Sequence, residues 1–250
     1  MLIVLPPSET KANGGDGAPL DLGALSFPEL NPVRKSIADA LLALDDVAMR
    51  EALKISTKLD GEITANRELW ASPTMPAIRR YTGVLYDALD AGSLDAEALS
   101  RITIGSALFG LVRATDQIPH YRLSGGSKIP DTGAATSPTM KSRWGKRITE
   151  ALRAAAPSKG PVVDLRSGAY LTLGPLPGAI TVRVESVQED GSRKVVSHFN
   201  KHYKGILARV LATAQIDFGP TDGAPEIAAA ARDSGLSVEI TGSDSLTLIV

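Results

Sequence analysis

Hydrophobic positions recur with two different periods along the chain. Leu2–Leu5 is an uninterrupted apolar run of strand length, closed by Pro6-Pro7, which cannot continue a ladder. Arg101-Ile102-Thr103-Ile104 reads as a strand and 162–165 as a buried strand. Residues 180–184 alternate apolar with polar. They predict an antiparallel hairpin with 194–199 through the turn Glu189-Asp190-Gly191-Ser192. Two more strands are expected at 236–240 and 246–250. A period near 3.6 governs 33–44, with Ile37, Leu41 and Leu44 on one stripe, and 47–59, with Ala52, Ile55 and Leu59 on another. Helices are also expected at 144–156, from about 201 onward, and near 226–233. Gly and Pro punctuate the whole chain without a repeat, so the expected fold is α+β, a single mixed unit over 1–250.

Polar residues gather where strands stop. Ser8, Glu9, Thr10 and Lys11 follow the first run, and Arg166, Ser167 and Tyr170 follow 162–165. Strand ends suit ligand groups, because the sheet fixes them while the loop stays open. In 77–89, Thr82-Gly83 interrupts the helical pattern, which reads either as a helix, a glycine hairpin and a second helix, or as one helix tolerating a glycine. A hairpin there would turn backbone N–H groups toward a phosphate beside Arg79 or Arg80. Lys54 and Lys58, four apart on a predicted helix, would share one face. Segment 105–123 reads as irregular and carries Ser106, Arg113, Asp116, Tyr121 and Arg122. It would either tie a loop to the core through an Arg113–Asp116 pair or preorganise an anion or base pocket. Segment 125–138 reads as a surface excursion.

Composition narrows the chemistry. The net charge of -1, from 27 basic and 28 acidic residues, gives no whole-molecule attraction to nucleic acid, so any such attraction must come from local placement. The absence of cysteine removes disulfides, thiolate metal sites and a cysteine nucleophile. Three histidines, His120, His198 and His202, fall in no metal-ligand spacing, so no metal and no cofactor is expected. The amino end lacks a basic flank and no apolar run approaches a membrane span, so a cytoplasmic location is expected.

Taken in order, LPPSETK at 5–11, KISTKL at 54–59, AIRRYTGVLYDAL at 77–89, GSALFGLVRATDQIPHYRL at 105–123, RWGKRITEAL at 143–152, VVDLRSGAYL at 162–171 and KHYKGILAR at 201–209 resemble the YaaA peroxide-stress family across nearly the whole chain. The resemblance implies an unusual compact α+β fold with a basic cleft and a helix-hairpin-helix-like element, here at 54–90. It also implies DNA binding and protection against hydrogen peroxide. On this chain the family's basic patterns fall on Lys54 and Lys58 and on Lys201, Lys204 and Arg209. Its aromatic pattern falls on Tyr81 and Tyr86, and its central pattern on Ser106, Arg113, Asp116, Tyr121 and Arg122. Departures are Pro7-Ser8-Glu9-Thr10-Lys11 in place of a PxKT pattern, Lys204 in place of an arginine, and Ser167-Gly168-Ala169-Tyr170 in place of a serine-glutamate-tyrosine tip.

Two functions follow as expectations. In the first, Lys54, Lys58, Arg113, Arg122, Lys201, Lys204 and Arg209 contact DNA phosphates, while Tyr81 or Tyr86 packs on a sugar or base. In the second, the chain is an enzyme acting on a nucleobase, nucleotide or damaged DNA, such as an N-glycosidic hydrolase. Asp116 and Tyr121 are then the candidate catalytic pair, and Ser8, Ser106 and Ser167 are further pocket residues.

Overall fold

The computed structural model describes residues 1–131, 136–166, 168–196, 199–216, 218–219 and 221–250. In chain order the strands are β1 (Leu2–Leu5), β2 (Gly17–Pro19), β3 (Pro73–Pro76), β4 (Ile102–Ser106), β5 (Gly110–Arg113), β6 (Gln117–Ile118), β7 (Val162–Asp164), β8 (Ile180–Val187), β9 (Arg193–Val195), β10 (Ser237–Gly242) and β11 (Ser245–Ile249). All four residues of β1 are buried, as suits an uninterrupted apolar run in a central strand paired on both sides. The main sheet has eight strands in the order β10-β11-β8-β7-β1-β4-β5, with β9 pairing β8. β1 lies parallel to both β4 and β7. A small second sheet joins β2, β3 and β6. The fold is mixed, with a parallel centre and antiparallel edges, consistent with the α+β reading.

From β1 the chain adds β4 and β5 on one side, then returns to place β7, β8 and β11 on the other. The direction of growth reverses at the β1–β7 boundary, and the crevice beyond the carboxyl ends of strands at such a reversal is where open sheets hold ligands. Pro6-Pro7 leaves the sheet there and carries Ser8 to Lys11 across its end.

Several elements differ from expectation. Segment 104–113 is a sheet hairpin, with β4 antiparallel to β5 and Ser106 opposite Gly110, whose φ of 71° makes the turn. The helix expected over 47–59 ends at Leu53, because Lys54 adopts φ 55° as its C-cap. Lys58 then lies in a separate short turn, Thr57–Leu59, so the two lysines share no helical face. The helix expected over 144–156 runs Arg147–Ala155, and Trp144 instead closes a separate short helix, Met140–Trp144, set off by Gly145 at φ 56°. In the 77–89 segment the continuous-helix reading fails. Ala77–Arg80 and Val84–Leu89 flank an extended Tyr81 that bridges Lys11 and a Gly83 at φ 95°. Segment 54–90 also contains β3 and the helix Asp60–Arg67, and a helix-hairpin-helix arrangement is not established in it. The 180–187 and 193–195 strands form the expected antiparallel hairpin. No helix among the described residues is long and apolar enough to cross a membrane.

Candidate functional site

A cleft of about 360 Å³ opens past the carboxyl end of β1, walled by Pro6 to Thr10 on one side and Thr82 to Tyr86 on the other, with Lys201 at its lip. Gly83 is required here: a Cβ built on it would stand 3.2 Å from Thr10 Oγ1 and 3.5 Å from Ser8 Oγ, at a φ that side chains rarely adopt. The wall is held from behind by Tyr86, whose hydroxyl donates to Pro6 O at 2.8 Å. Its other support is the helix Asn200–Thr213, where Gly205 packs directly against the backbone of Leu85.

Behind this wall lies a cluster of polar groups. The Lys11 ammonium donates to Ser8 O at 3.1 Å and sits 4.4 Å from the Tyr121 ring centroid and 5.4 Å from that of Tyr81. Among the described residues no carboxylate comes within 4.0 Å of it. Burial, opposed in part by Glu9 and Glu62, brings Lys11 down to about 8. Beneath it the Tyr121 hydroxyl bonds both Tyr81 Oη at 2.7 Å and Ser106 Oγ at 2.8 Å, and Ser106 Oγ accepts the Phe109 N–H. Burial pushes Tyr81 up to about 12 and raises Tyr86, Tyr121 and Tyr170 as well, so these phenols stay protonated through the physiological range.

One helix organises the cluster's far side. Glu62 and Asn66 stand four apart on Asp60–Arg67 and therefore face the same way. Glu62 bonds His120 Nε2 at 3.1 Å, while Asn66 clamps the Arg122 backbone by donating to its carbonyl and accepting its N–H. Burial favours a neutral Glu62, but the His120 hydrogen bond and the Lys11 and Arg122 charges outweigh it and hold the carboxyl below its ordinary range. Arg122 in turn pairs with Glu9 at 2.9 Å and donates to its carbonyl oxygen.

The residues picked from sequence divide into three groups. Ser8, Ser106, Tyr81, Tyr86, Tyr121, Arg122 and Lys201 converge on the cleft and its backing. Tyr81 and Tyr86, expected as stacking platforms, are buried and stack on each other with centroids 5.6 Å apart, so neither presents a face to solvent. Other cations are engaged elsewhere. Lys204 is buried with its ammonium on Leu165 O at 3.1 Å. Arg209 ties the Leu89 and Asp90 carbonyls and Ser93 Oγ. Arg113 donates to Ser100 O and lies 5.4 Å from the Phe27 ring centroid. The expected Arg113–Asp116 side-chain pair is absent among the described residues: the carboxylate accepts the Arg113 backbone N–H together with the N–H and hydroxyl of Ser26. Lys54 and Lys58 are exposed. Ser167 lies outside the described residues.

Sequence reasoning passed over Lys11 as a site residue, together with the Glu62–His120 pair and the buried Asp164–Arg166 pair. Only Lys11 carried a local signal, its place directly after a strand-ending Pro6-Pro7. The Glu62–His120 pair joins segments 58 residues apart, and the Asp164–Arg166 pair, only two residues apart, owes its character to the burial that the fold gives both side chains.

The Peroxide stress protein YaaA family model matches residues 1–227. The chain belongs to this family. A UPF0246 protein of Corynebacterium efficiens is 58% identical with both chains fully covered. One from Streptomyces coelicolor is 43% identical over 96% of this chain and 92% of its own. An uncharacterized protein of Campylobacter jejuni is 31% identical over 86% of each. The family match spans every residue of the cleft and the cluster behind it, whereas β10 and β11 lie beyond it.

Proposed function

We propose that this member of the peroxide stress family binds DNA through the cleft at the end of β1 and so limits oxidative damage to it. The observation that carries the reading is the cleft's position and its rim: an opening at the sheet's reversal point, edged by the exposed Lys201. Lys58 begins the segment whose helix delivers Glu62 to the same cluster, and Arg122, shared with a half-exposed Glu9, can exchange that carboxylate for a phosphate. With a net charge of -1, attraction is confined to this rim and contacts are to phosphate more than to bases. A titration against duplex and single-stranded DNA over a salt series tests it. The expected result is affinity falling with salt, with Lys58→Ala, Arg122→Ala and Lys201→Ala each weakening binding and reducing the slope by about 1. Unchanged affinity in all three folded variants would overturn the site.

A second reading, an enzyme acting on a nucleobase, nucleotide or damaged DNA, draws on Lys11 and the Tyr121–Tyr81–Ser106 hydroxyls behind the cleft. Of the two candidate catalytic residues, Tyr121 belongs to that cluster, whereas Asp116 spends its carboxylate on Ser26 and Arg113. Released base, quantified in the same titration samples, separates the two readings.

A further inference from the structure

Lys11 is an unusual place to keep a lysine meant for phosphate. A phosphate-binding ammonium gains most from being fully charged and reachable, whereas Lys11 Nζ has aromatic faces at 4.4 and 5.4 Å, one carbonyl acceptor, and no carboxylate within 4.0 Å among the described residues. The residue is nevertheless only half-buried. Its acceptor Ser8 lines the cleft, so the amine is hydrogen-bonded to a residue of the cleft wall. A desolvated lysine beside an open cleft is the arrangement that supplies a neutral amine for attack on a carbonyl, and its pKa of about 8 is in keeping with that.

Resting on the DNA reading above, we infer that Lys11 is a nucleophile toward aldehydes, and that its substrate class is the open-chain deoxyribose aldehyde of an abasic site in DNA. The neutral amine adds to the aldehyde carbon, forming the C–N bond; the carbonyl oxygen takes one proton from the amine nitrogen and a second from solvent and departs as water, which leaves a protonated imine. Loss of a proton from C2′ to the Glu9 carboxylate, which lines the cleft, supplies the electron pair that forms the C2′–C3′ double bond. The C3′–O bond breaks, and the phosphate leaves with its bonding pair. Water then hydrolyses the imine and returns the free amine. Tyr81 and Tyr121 keep the amine out of bulk water, and Glu9 and Glu62, which favour its charged form, hold its basicity within reach of neutrality from above.

The test is reductive trapping. Full-length protein is incubated with an oligonucleotide bearing one abasic site in the presence of cyanoborohydride. Adducts are resolved under denaturing conditions and mapped by peptide mass, with DNA binding recorded on the same protein. The expected result is a covalent adduct on the peptide containing Lys11, forming faster as pH rises toward about 8 and levelling above it. Lys11→Arg and Lys11→Met should lose it by at least about tenfold while keeping the wild-type circular dichroism. An adduct on another lysine, or binding without any adduct, overturns the inference and leaves the DNA reading standing. If abasic DNA fails to bind, the DNA reading fails instead. Trapping of 2-deoxyribose 5-phosphate then decides for the amine: an adduct on Lys11 supports its reactivity, and none overturns it.

Discussion

Lys11 and the two tyrosines around it are governed by desolvation, which acts on them in opposite directions. A lysine depressed from 10.5 to about 8 binds fewer protons in the folded chain than in the unfolded one between those values, so stability rises with pH across that window. Above about pH 10 the sign reverses, because unfolded tyrosines ionise while folded Tyr81 holds its proton to about 12. The clean interval is therefore pH 8 to 10. Wild type should gain about 1 to 2 kcal/mol there relative to Lys11→Met, after discounting for the solvent that reaches the side chain. Urea unfolding of both proteins at the two pH values checks it, and a flat difference would mean that the ammonium is solvated. Lys11 was legible in the sequence as a polar residue after a strand. What it touches was not, since Tyr81 and Tyr121 come from segments 70 and more residues away.

At the scale of elements, the cleft wall depends on how closely two helices approach. Gly205 in Asn200–Thr213 leaves no room for a side chain: a Cβ there would stand 2.3 Å from Leu85 O and 2.8 Å from Ala88 Cβ. Its φ is ordinary, so the requirement is for space and not for backbone freedom. Gly205→Ala should cost about 1 to 3 kcal/mol and weaken DNA binding by displacing Val84–Leu89, read by thermal unfolding and the salt-series titration together. The sequence marked a basic residue followed by Gly205, and it predicted the basic helix. It assigned Lys204 to an anion, whereas the helix turns that ammonium inward to Leu165 O. Hydrophobic periodicity overran the helix end within 47–59, because Lys54 takes positive φ where the apolar pattern continues, and periodicity does not register a single reversed residue.

Across the whole molecule, the end of β7 is fastened to its neighbours by buried charge. Asp164 and Arg166 form a bidentate pair with both side chains 1% exposed, and Arg166 also donates to Gly174 O and packs on Gly105 of β4. Lys204 lies close enough to Asp164 for that carboxylate to favour its charged form. Asp164→Ala would strand two buried cations at the reversal point of the sheet and should cost about 3 to 5 kcal/mol. Denaturant midpoints measure it, and a loss below about 1 kcal/mol would show that the pair is dispensable. By itself the sequence determined the strands of the main sheet except β5, most helices, the α+β class and the family, because apolar period, turn residues and ordered motifs are local and survive without coordinates. Only the tertiary structure decided which cations face solvent and which are spent on carbonyl oxygens, that Asp116 caps a loop, and that Lys11 lies between two tyrosine rings. Burial and partnership are set by packing between distant segments, and a residue's type does not record which neighbours the fold will bring to it.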